Sequence, residues 1–108
     1  PTVLVIKRGE HGVLAFFQEE MFHAPGYPLK SVADPTGAGD TFAGGFFGYL
    51  AKHGEHGPGA IRRAVVVGSV MASFCVEKFS VDGLVDLDQR EISMRYRAFQ
   101  RLTDFGEF

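Results

Sequence analysis

The first quarter of the chain carries its apolar residues in short runs that are typical of β-strands. The first run covers residues 1–6, and further runs follow at residues 13–17 and 21–24. A continuous β-branched run is typical of a strand buried on both faces of an α/β sheet, so we predict that residues 1–6 form such a strand. Because central strands rarely open a domain, we also expect this chain to be the C-terminal part of a longer protein.

The spacing of apolar residues changes to a helical period after residue 40. Residues 41–53 place Phe42, Leu50 and either Phe46 or Phe47 on one face, which predicts an amphipathic helix. Gly44 and Gly45 interrupt this pattern at a cost of up to about 1 kcal/mol each relative to alanine, so we expect both to allow close packing.

Two further helices are predicted in the second half of the chain. Residues 60–76 are apolar nearly all round, which indicates a largely buried helix. Asp88, with Glu91 three residues later, resembles a capping box and predicts the start of the last helix. Four arginines of that helix are expected to form a mostly outward, solvated face: Arg90, Arg95, Arg97 and Arg101.

Composition narrows the class of protein. The chain has 108 residues, 45% of them hydrophobic and 22% charged, which fits one globular domain. Eleven basic against 13 acidic residues give a net charge of -2, which argues against a nucleic-acid-binding module. No apolar run approaches the roughly 18 residues of a membrane span, so we expect no membrane association.

The cysteine and histidine content offers no covalent or metal framework. Cys75 is the single cysteine, which excludes an internal disulfide and fits a reducing cytoplasmic location. We interpret it as a small core residue. The four histidines lack metal-ligand spacing with carboxylates, so none is expected to be a ligand: His11, His23, His53 and His56.

The segment of residues 34–40 lies between a predicted strand and a predicted helix, and it carries the candidate chemistry. The first N–H groups of a helix are unpaired and partly positive, so small residues there favour anion binding. A P-loop is excluded, because Gly45 stands where its lysine is required. A dinucleotide fingerprint is excluded as well, because Phe42 stands where its last glycine is required.

Asp40 follows directly on the small residues of this segment. A carboxylate repels phosphate, so it is a poor choice for a simple anion site. One interpretation is that Asp40 stabilises the helix dipole, which is worth about 0.3–1 kcal/mol. The other is that it acts as a base towards an acceptor hydroxyl while the N–H groups hold a transferred phosphoryl group. The residue pattern by itself leaves both open.

A family resemblance favours the second interpretation. Asp34-Pro35-Thr36-Gly37-Ala38-Gly39-Asp40 resembles the second signature, Asp-x-Thr-Gly-Ala-Gly-Asp, of the ribokinase-like (PfkB) carbohydrate kinases. The preceding strand-turn-strand and the two following helices agree with it. The resemblance implies an α/β fold, the C-terminal part of a ribokinase-like doubly wound sheet with flanking helices. Residues 1–108 would then be the C-terminal, nucleotide-binding part of such a kinase.

The resemblance also implies roles for individual residues. Asp40 matches the catalytic base, and Gly37, Ala38 and Gly39 match the anion hole. Asp34 and Thr36 match positions that help bind a monovalent cation such as K⁺. Lys7, Gly9 and Gly12 match the turn that borders the nucleotide phosphates. The positions expected to flank the adenine are Ser69, Ser73 and Ser80.

The implied activity is ATP-dependent phosphoryl transfer to a hydroxyl of a sugar or nucleoside. The family's first signature and its magnesium-associated Asn-x-x-Glu motif are absent from this sequence, so most Mg²⁺ ligands are expected upstream. Phe79-Ser80-Val81 also departs from the glycine common in relatives. The full-length protein is expected to be a cytoplasmic homodimer. The alternatives are a non-catalytic nucleotide-binding module and a structural fragment without a ligand.

Overall fold

Three strands and three helices make up the α/β fold of the chain. A computed structural model describes residues 3–29, 37–77 and 87–106. The strands are β1 (Val3–Lys7), β2 (Val13–Phe17) and β3 (Glu20–Ala24), and a short 3₁₀ turn, Gly9–His11, joins the first two. The helices are α1 (Ala38–His53), α2 (Pro58–Glu77) and α3 (Gln89–Thr103).

The described strands form an antiparallel sheet in the order β1-β2-β3. Alternate residues of a strand face opposite sides of a sheet. In β2 the inward set, Val13, Ala15 and Phe17, is buried in the main core. The outward neighbours Leu4 and Met21 are about 60% exposed. One face of the sheet therefore packs on the helices, while its other face lies open in the described part of the chain.

The predicted burial of the first strand on both faces is wrong for this structure. In β1 only Val5 is partly buried, and the other four residues are exposed. Among the described strands β1 pairs with β2 alone, so it lies at a sheet edge. Its apolar composition indicates a tendency to be buried, but among the described residues only Val5 packs against the core.

The main packing interface lies between α1 and α2, and it is closest at two glycines. A Cβ added to Gly45 would lie 3.0 Å from the Cα of Gly68, and one added to Gly68 would lie 2.8 Å from the carbonyl oxygen of Phe42. The prediction of close packing is therefore confirmed for Gly45. It is wrong for Gly44, where an added Cβ would meet no atom of the described residues within 4 Å.

Helix α1 begins at Ala38, three residues before the predicted start, because Gly37 takes the left-handed conformation that precedes the helix. Its inward face consists of Phe42, Phe46 and Leu50, whereas Phe47 is 65% exposed. The sequence left Phe46 and Phe47 as alternatives, and Phe46 is the core residue.

Helix α2 is the apolar core helix that the sequence predicts, two residues longer at its start and one at its end. Its 20 residues are long and apolar enough to span a membrane by length and composition alone. Half of the most apolar stretch is buried inside the fold, however, as in the core helix of a globular domain.

Helix α3 begins as its sequence predicts. The backbone N–H of Glu91 donates to the side chain of Asp88 at 2.8 Å, and Asp88 is the N-cap. Phe99 is buried and packs with Ile92 and Tyr96. The outward face is confirmed for Arg90, Arg97 and Arg101, which are exposed. For Arg95 it is wrong, because this side chain is only 14% exposed.

Candidate functional site

The start of α1 presents its first backbone N–H groups without a capping side chain. Gly37, the N-cap, has φ 84° and no side chain that could accept from them. The backbone N–H and the Oγ1 of Thr41 both donate to the carbonyl oxygen of Gly37 at 2.9 Å. This bond closes the first helical turn, so the N–H groups of residues 38–40 have no acceptor within the helix.

Asp40 lies in this first turn and is exposed to solvent. Ala38 and Gly39, the two residues before Asp40, are partly buried. The predicted base and the predicted anion-binding residues thus share one helical turn. A carboxylate can take a proton from an attacking hydroxyl group, and N–H groups without an acceptor in the helix can stabilise negative charge that develops nearby.

Lys7 is the last residue of β1, and its ammonium group lies near the start of α1. Its Nζ lies 5.9 Å from the centre of the Phe42 ring, within range of a cation–π contact. A Cβ built on Gly39 would lie 2.9 Å from this Nζ. The fold therefore joins two predicted site residues that are far apart in sequence, and it adds an ammonium group to the helix start.

The turn between β1 and β2 contains the other two predicted phosphate-bordering residues. Gly9 has φ 57° and open space around it. Gly12 is buried with φ 91°, and an added Cβ would lie 2.2 Å from the carbonyl oxygen of Ala24. Close packing thus already accounts for Gly12, whereas Gly9 is accessible.

Two of the predicted adenine-side serines, Ser69 and Ser73, lie on α2. The hydroxyl of Ser69 donates to the carbonyl oxygen of Val65 at 2.9 Å. Ser73 is buried and donates to the carbonyl oxygen of Val70 at 2.7 Å. Ser80, Asp34 and Thr36 lie outside the described residues.

Arg95 is the polar residue of this region that sequence reasoning misplaced. Its guanidinium carbon lies 3.8 Å from the centre of the Phe74 ring. Its position three residues after Ile92 and four before Phe99 puts it on the inner face of α3. That spacing indicates an inward position for Arg95. It was missed because the four arginines of α3 were treated as one solvated face.

The described residues contain neither a histidine site nor an acidic cluster that could bind a metal ion. Within residues 3–29, 37–77 and 87–106, no three histidine, cysteine, aspartate or glutamate side chains come together in a way that could hold a metal ion. Cys75 is buried in α2, as expected of a core residue.

Comparison with known proteins identifies the family to which the chain belongs. The family model described as "pfkB family carbohydrate kinase" matches residues 1–83. The chain belongs to this family. That match contains the whole of the helix start and the Lys7 turn, so the resemblance carried by residues 34–40 is confirmed at the level of the family.

An individual relative of this pfkB-family chain is also a carbohydrate kinase by name. A fructokinase from Salmonella thompson is 46% identical over 54 residues, which is 50% of this chain and 24% of the relative. The matched part thus spans about a quarter of that relative's length.

Solved structures extend the likeness to the fold. The aminoimidazole riboside kinase from Salmonella enterica, complexed with aminoimidazole riboside and an ATP analogue, superposes with a TM-score of 0.70 at 25% identity, covering 94% of this chain and 32% of that one. The fructokinase from Vibrio cholerae O395 superposes with a TM-score of 0.73 at 22% identity, covering 85% of this chain and 30% of that one. The predicted ribokinase-like fold of this pfkB-family chain is confirmed.

Proposed function

We propose that this chain supplies the phosphoryl-transfer centre of an ATP-dependent kinase that acts on a hydroxyl group of a sugar or nucleoside. The observation that carries the proposal is the start of α1. Asp40 shares the first helical turn with the N–H groups of residues 38–40, which have no acceptor within the helix, and a Cβ built on Gly39 would lie 2.9 Å from Lys7 Nζ. Family membership supplies the reaction class.

Asp40 is the base in this proposal. It accepts the proton of the attacking hydroxyl as the oxygen bonds to the terminal phosphorus of ATP, and ADP leaves with the electrons of the broken bond. The transition state is loose, so an oriented carboxylate need not be strongly basic. A general base contributes typically about 10²–10⁴-fold to the rate.

The N–H groups of residues 38–40 hold the phosphoryl oxygens during transfer. Donors fixed in the helix need no reorganisation when charge shifts, and a single donor is worth about 10²–10³-fold. Lys7 adds a full positive charge beside them and offsets the repulsion between Asp40 and the phosphate. Gly39 has no side chain, which leaves the amides open to approach.

The acceptor belongs to the sugars or nucleosides in this proposal. One relative named above is a fructokinase, and one solved structure holds aminoimidazole riboside. Fructose and aminoimidazole riboside both carry primary hydroxyl groups. The matched part of these proteins is a third or less of their length, so the groups that select the acceptor are proposed to lie elsewhere in the native protein.

The remaining cofactor assignments rest on the family resemblance. The neighbours with an ATP analogue, and with ADP and calcium ion, support the use of a nucleotide and a divalent cation. Because the residues that would hold Mg²⁺ are expected upstream of this sequence, no step is assigned to it. Asp34 and Thr36 for K⁺, Ser69, Ser73 and Ser80 for adenine, and a cytoplasmic homodimer stay predictions.

The test is the replacement Asp40→Asn in the native protein. We expect kcat to fall by about 10²–10⁴-fold with ATP and the best acceptor from a sugar and nucleoside panel. The affinity for ATP, measured by calorimetry, should change little, since the amide keeps the shape of the side chain.

Glu91→Gln is the matched control, because Glu91 is also an exposed acidic residue in the first turn of a helix. It should leave turnover unchanged. If Asp40→Asn lowers thermal stability as Glu91→Gln does and leaves turnover intact, Asp40 only stabilises the helix dipole. ATP binding by the wild type without turnover of any acceptor would identify a non-catalytic module.

A further inference from the structure

Arg95 of α3 is enclosed by aromatic and polar partners. Its guanidinium carbon lies 3.8 Å from the ring centre of Phe74 and 4.6 Å from that of Tyr27. One terminal nitrogen donates to the hydroxyl of Ser73 at 3.1 Å. The other donates to both carboxylate oxygens of Glu77 at 3.1 and 3.3 Å. Two aromatic rings therefore contact the guanidinium, and both of its terminal nitrogens are hydrogen-bonded.

These partners come from two chain segments that lead towards predicted ligand residues. Tyr27 follows β3 and precedes the segment that carries Asp34 and Thr36. Glu77 is the last residue of α2 and precedes the segment that carries Ser80. Arg95 thus connects two places in the fold. One is Tyr27, which precedes the segment that carries Asp34 and Thr36, and the other is the Glu77 end of α2, which precedes Ser80.

Bonding to Arg95 also fixes a predicted site residue directly. Ser73 donates to the carbonyl oxygen of Val70 and accepts from Arg95, so its hydroxyl has one orientation. Glu77 is bound by two parallel contacts, a geometry that constrains direction as well as distance. Lysine has neither the planar fork nor a flat face to stack on the aromatic rings.

We propose that Arg95 is a positioning residue for nucleotide binding: it holds Ser73 and the Glu77 end of α2 in register with the chain at Tyr27. This inference rests on the proposed kinase function. Arg95 itself does not touch the nucleotide in this account. It acts through Ser73 and Glu77, so its loss weakens ATP binding more than it slows the chemical step at Asp40.

The experiment compares Arg95→Lys, Arg95→Met and Glu77→Gln in the native protein. The control is Arg97→Met, because Arg97 is an exposed arginine on the same helix. Three quantities are measured for each variant: the Kd of ATP by calorimetry, the KM of the acceptor with kcat, and the melting temperature without ligand. All binding is measured well below the melting transition.

We expect Arg95→Lys and Glu77→Gln each to raise the Kd of ATP by at least fivefold, with kcat and the acceptor KM within twofold of wild type. Arg95→Met combined with Glu77→Gln should be no worse than Arg95→Met by more than twofold, because the two residues act as one unit. Arg97→Met should match wild type. If Arg95→Met fails to fold, Arg95→Lys and Glu77→Gln still give the result.

A lower melting temperature with an unchanged Kd in Arg95→Lys and Glu77→Gln would overturn the inference and leave Arg95 as a packing residue. The proposed kinase function would survive that result. If instead the wild-type protein neither binds ATP nor phosphorylates any acceptor, the proposed function fails, and the positioning role fails with it.

Discussion

Gly39 and Gly45, which lie six residues apart in α1, have different surroundings. At Gly45 an added Cβ would lie 3.0 Å from the backbone of α2, so close packing favours glycine there. Among the described residues, a Cβ added at Gly39 would meet only the end of the flexible Lys7 side chain. Packing therefore accounts for the glycine at the interface but not for the one at the helix start. The proposed phosphoryl-transfer site would account for the second.

The sharpest way to break this comparison is Gly39→Ala in the native protein. We expect kcat to fall by about 100-fold, because the methyl group displaces Lys7 and obstructs the amides that hold the phosphoryl group. The free energy of unfolding should change little. Gly44→Ala is the control: its added methyl meets nothing within 4 Å, so turnover should stay at the wild-type value. Equal turnover in the two variants would contradict the assignment of Gly39.

At the interface we expect the opposite response. Gly68→Ala should lower the free energy of unfolding by about 1–3 kcal/mol, because its methyl would overlap the carbonyl group and ring of Phe42. Denaturant titration measures this change. Gly48→Ala, which faces open space on α1, should instead gain up to about 1 kcal/mol from helix propensity. A Gly68→Ala variant as stable as wild type would show that the two helices separate easily.

Lys7 sharpens the helix-start side of the comparison. Lys7→Met should lower kcat/KM for ATP by about tenfold at low salt, and by less at high salt because mobile ions screen an exposed charge. Arg8→Met is the control, since Arg8 is the next residue and is also exposed. An equal loss in both variants would mean that only the overall charge of the turn matters.

The smallest expected effect is the pH response of the packed region between α2 and α3. Burial raises the pKa of Tyr96 above its usual value of 10.0, and the nearby Tyr49 raises it further while Arg63 opposes the change. A phenol with a raised pKa in the folded state adds stability below pH 10 that is lost as the pH rises through the folded-state pKa.

Denaturant titrations of wild type and Tyr96→Phe between pH 8 and 11 measure this effect. The wild type should lose stability relative to Tyr96→Phe above pH 10. Parallel curves for the two proteins would remove Tyr96 as the cause.

Local features were predicted well from the sequence because each depends on neighbouring residues. The Asp88 cap, the apolar face of α1 and the strands of the hairpin follow from spacing over a few positions. The helix start at Gly37 was recognised through its small residues, although its exact first residue was not.

Features that depend on distant contacts were missed. The apolar run of β1 predicts burial, but not which element provides it, and the strand is exposed in the described structure. The sequence predicts Arg95 on the solvated face because its partners come from two other segments, α2 and the chain after β3. The approach of Lys7 to Gly39 likewise needs the fold, since no local pattern links positions 7 and 39.

The central claim is that the phosphoryl group is transferred at the start of α1. The most direct measurement is a crystal structure of the native protein with a non-hydrolysable ATP analogue. The account predicts that the terminal phosphate accepts hydrogen bonds from the backbone N–H groups of residues 38–40 and lies beside Lys7 Nζ and the Asp40 carboxylate. A terminal phosphate bound away from that helical turn would contradict it.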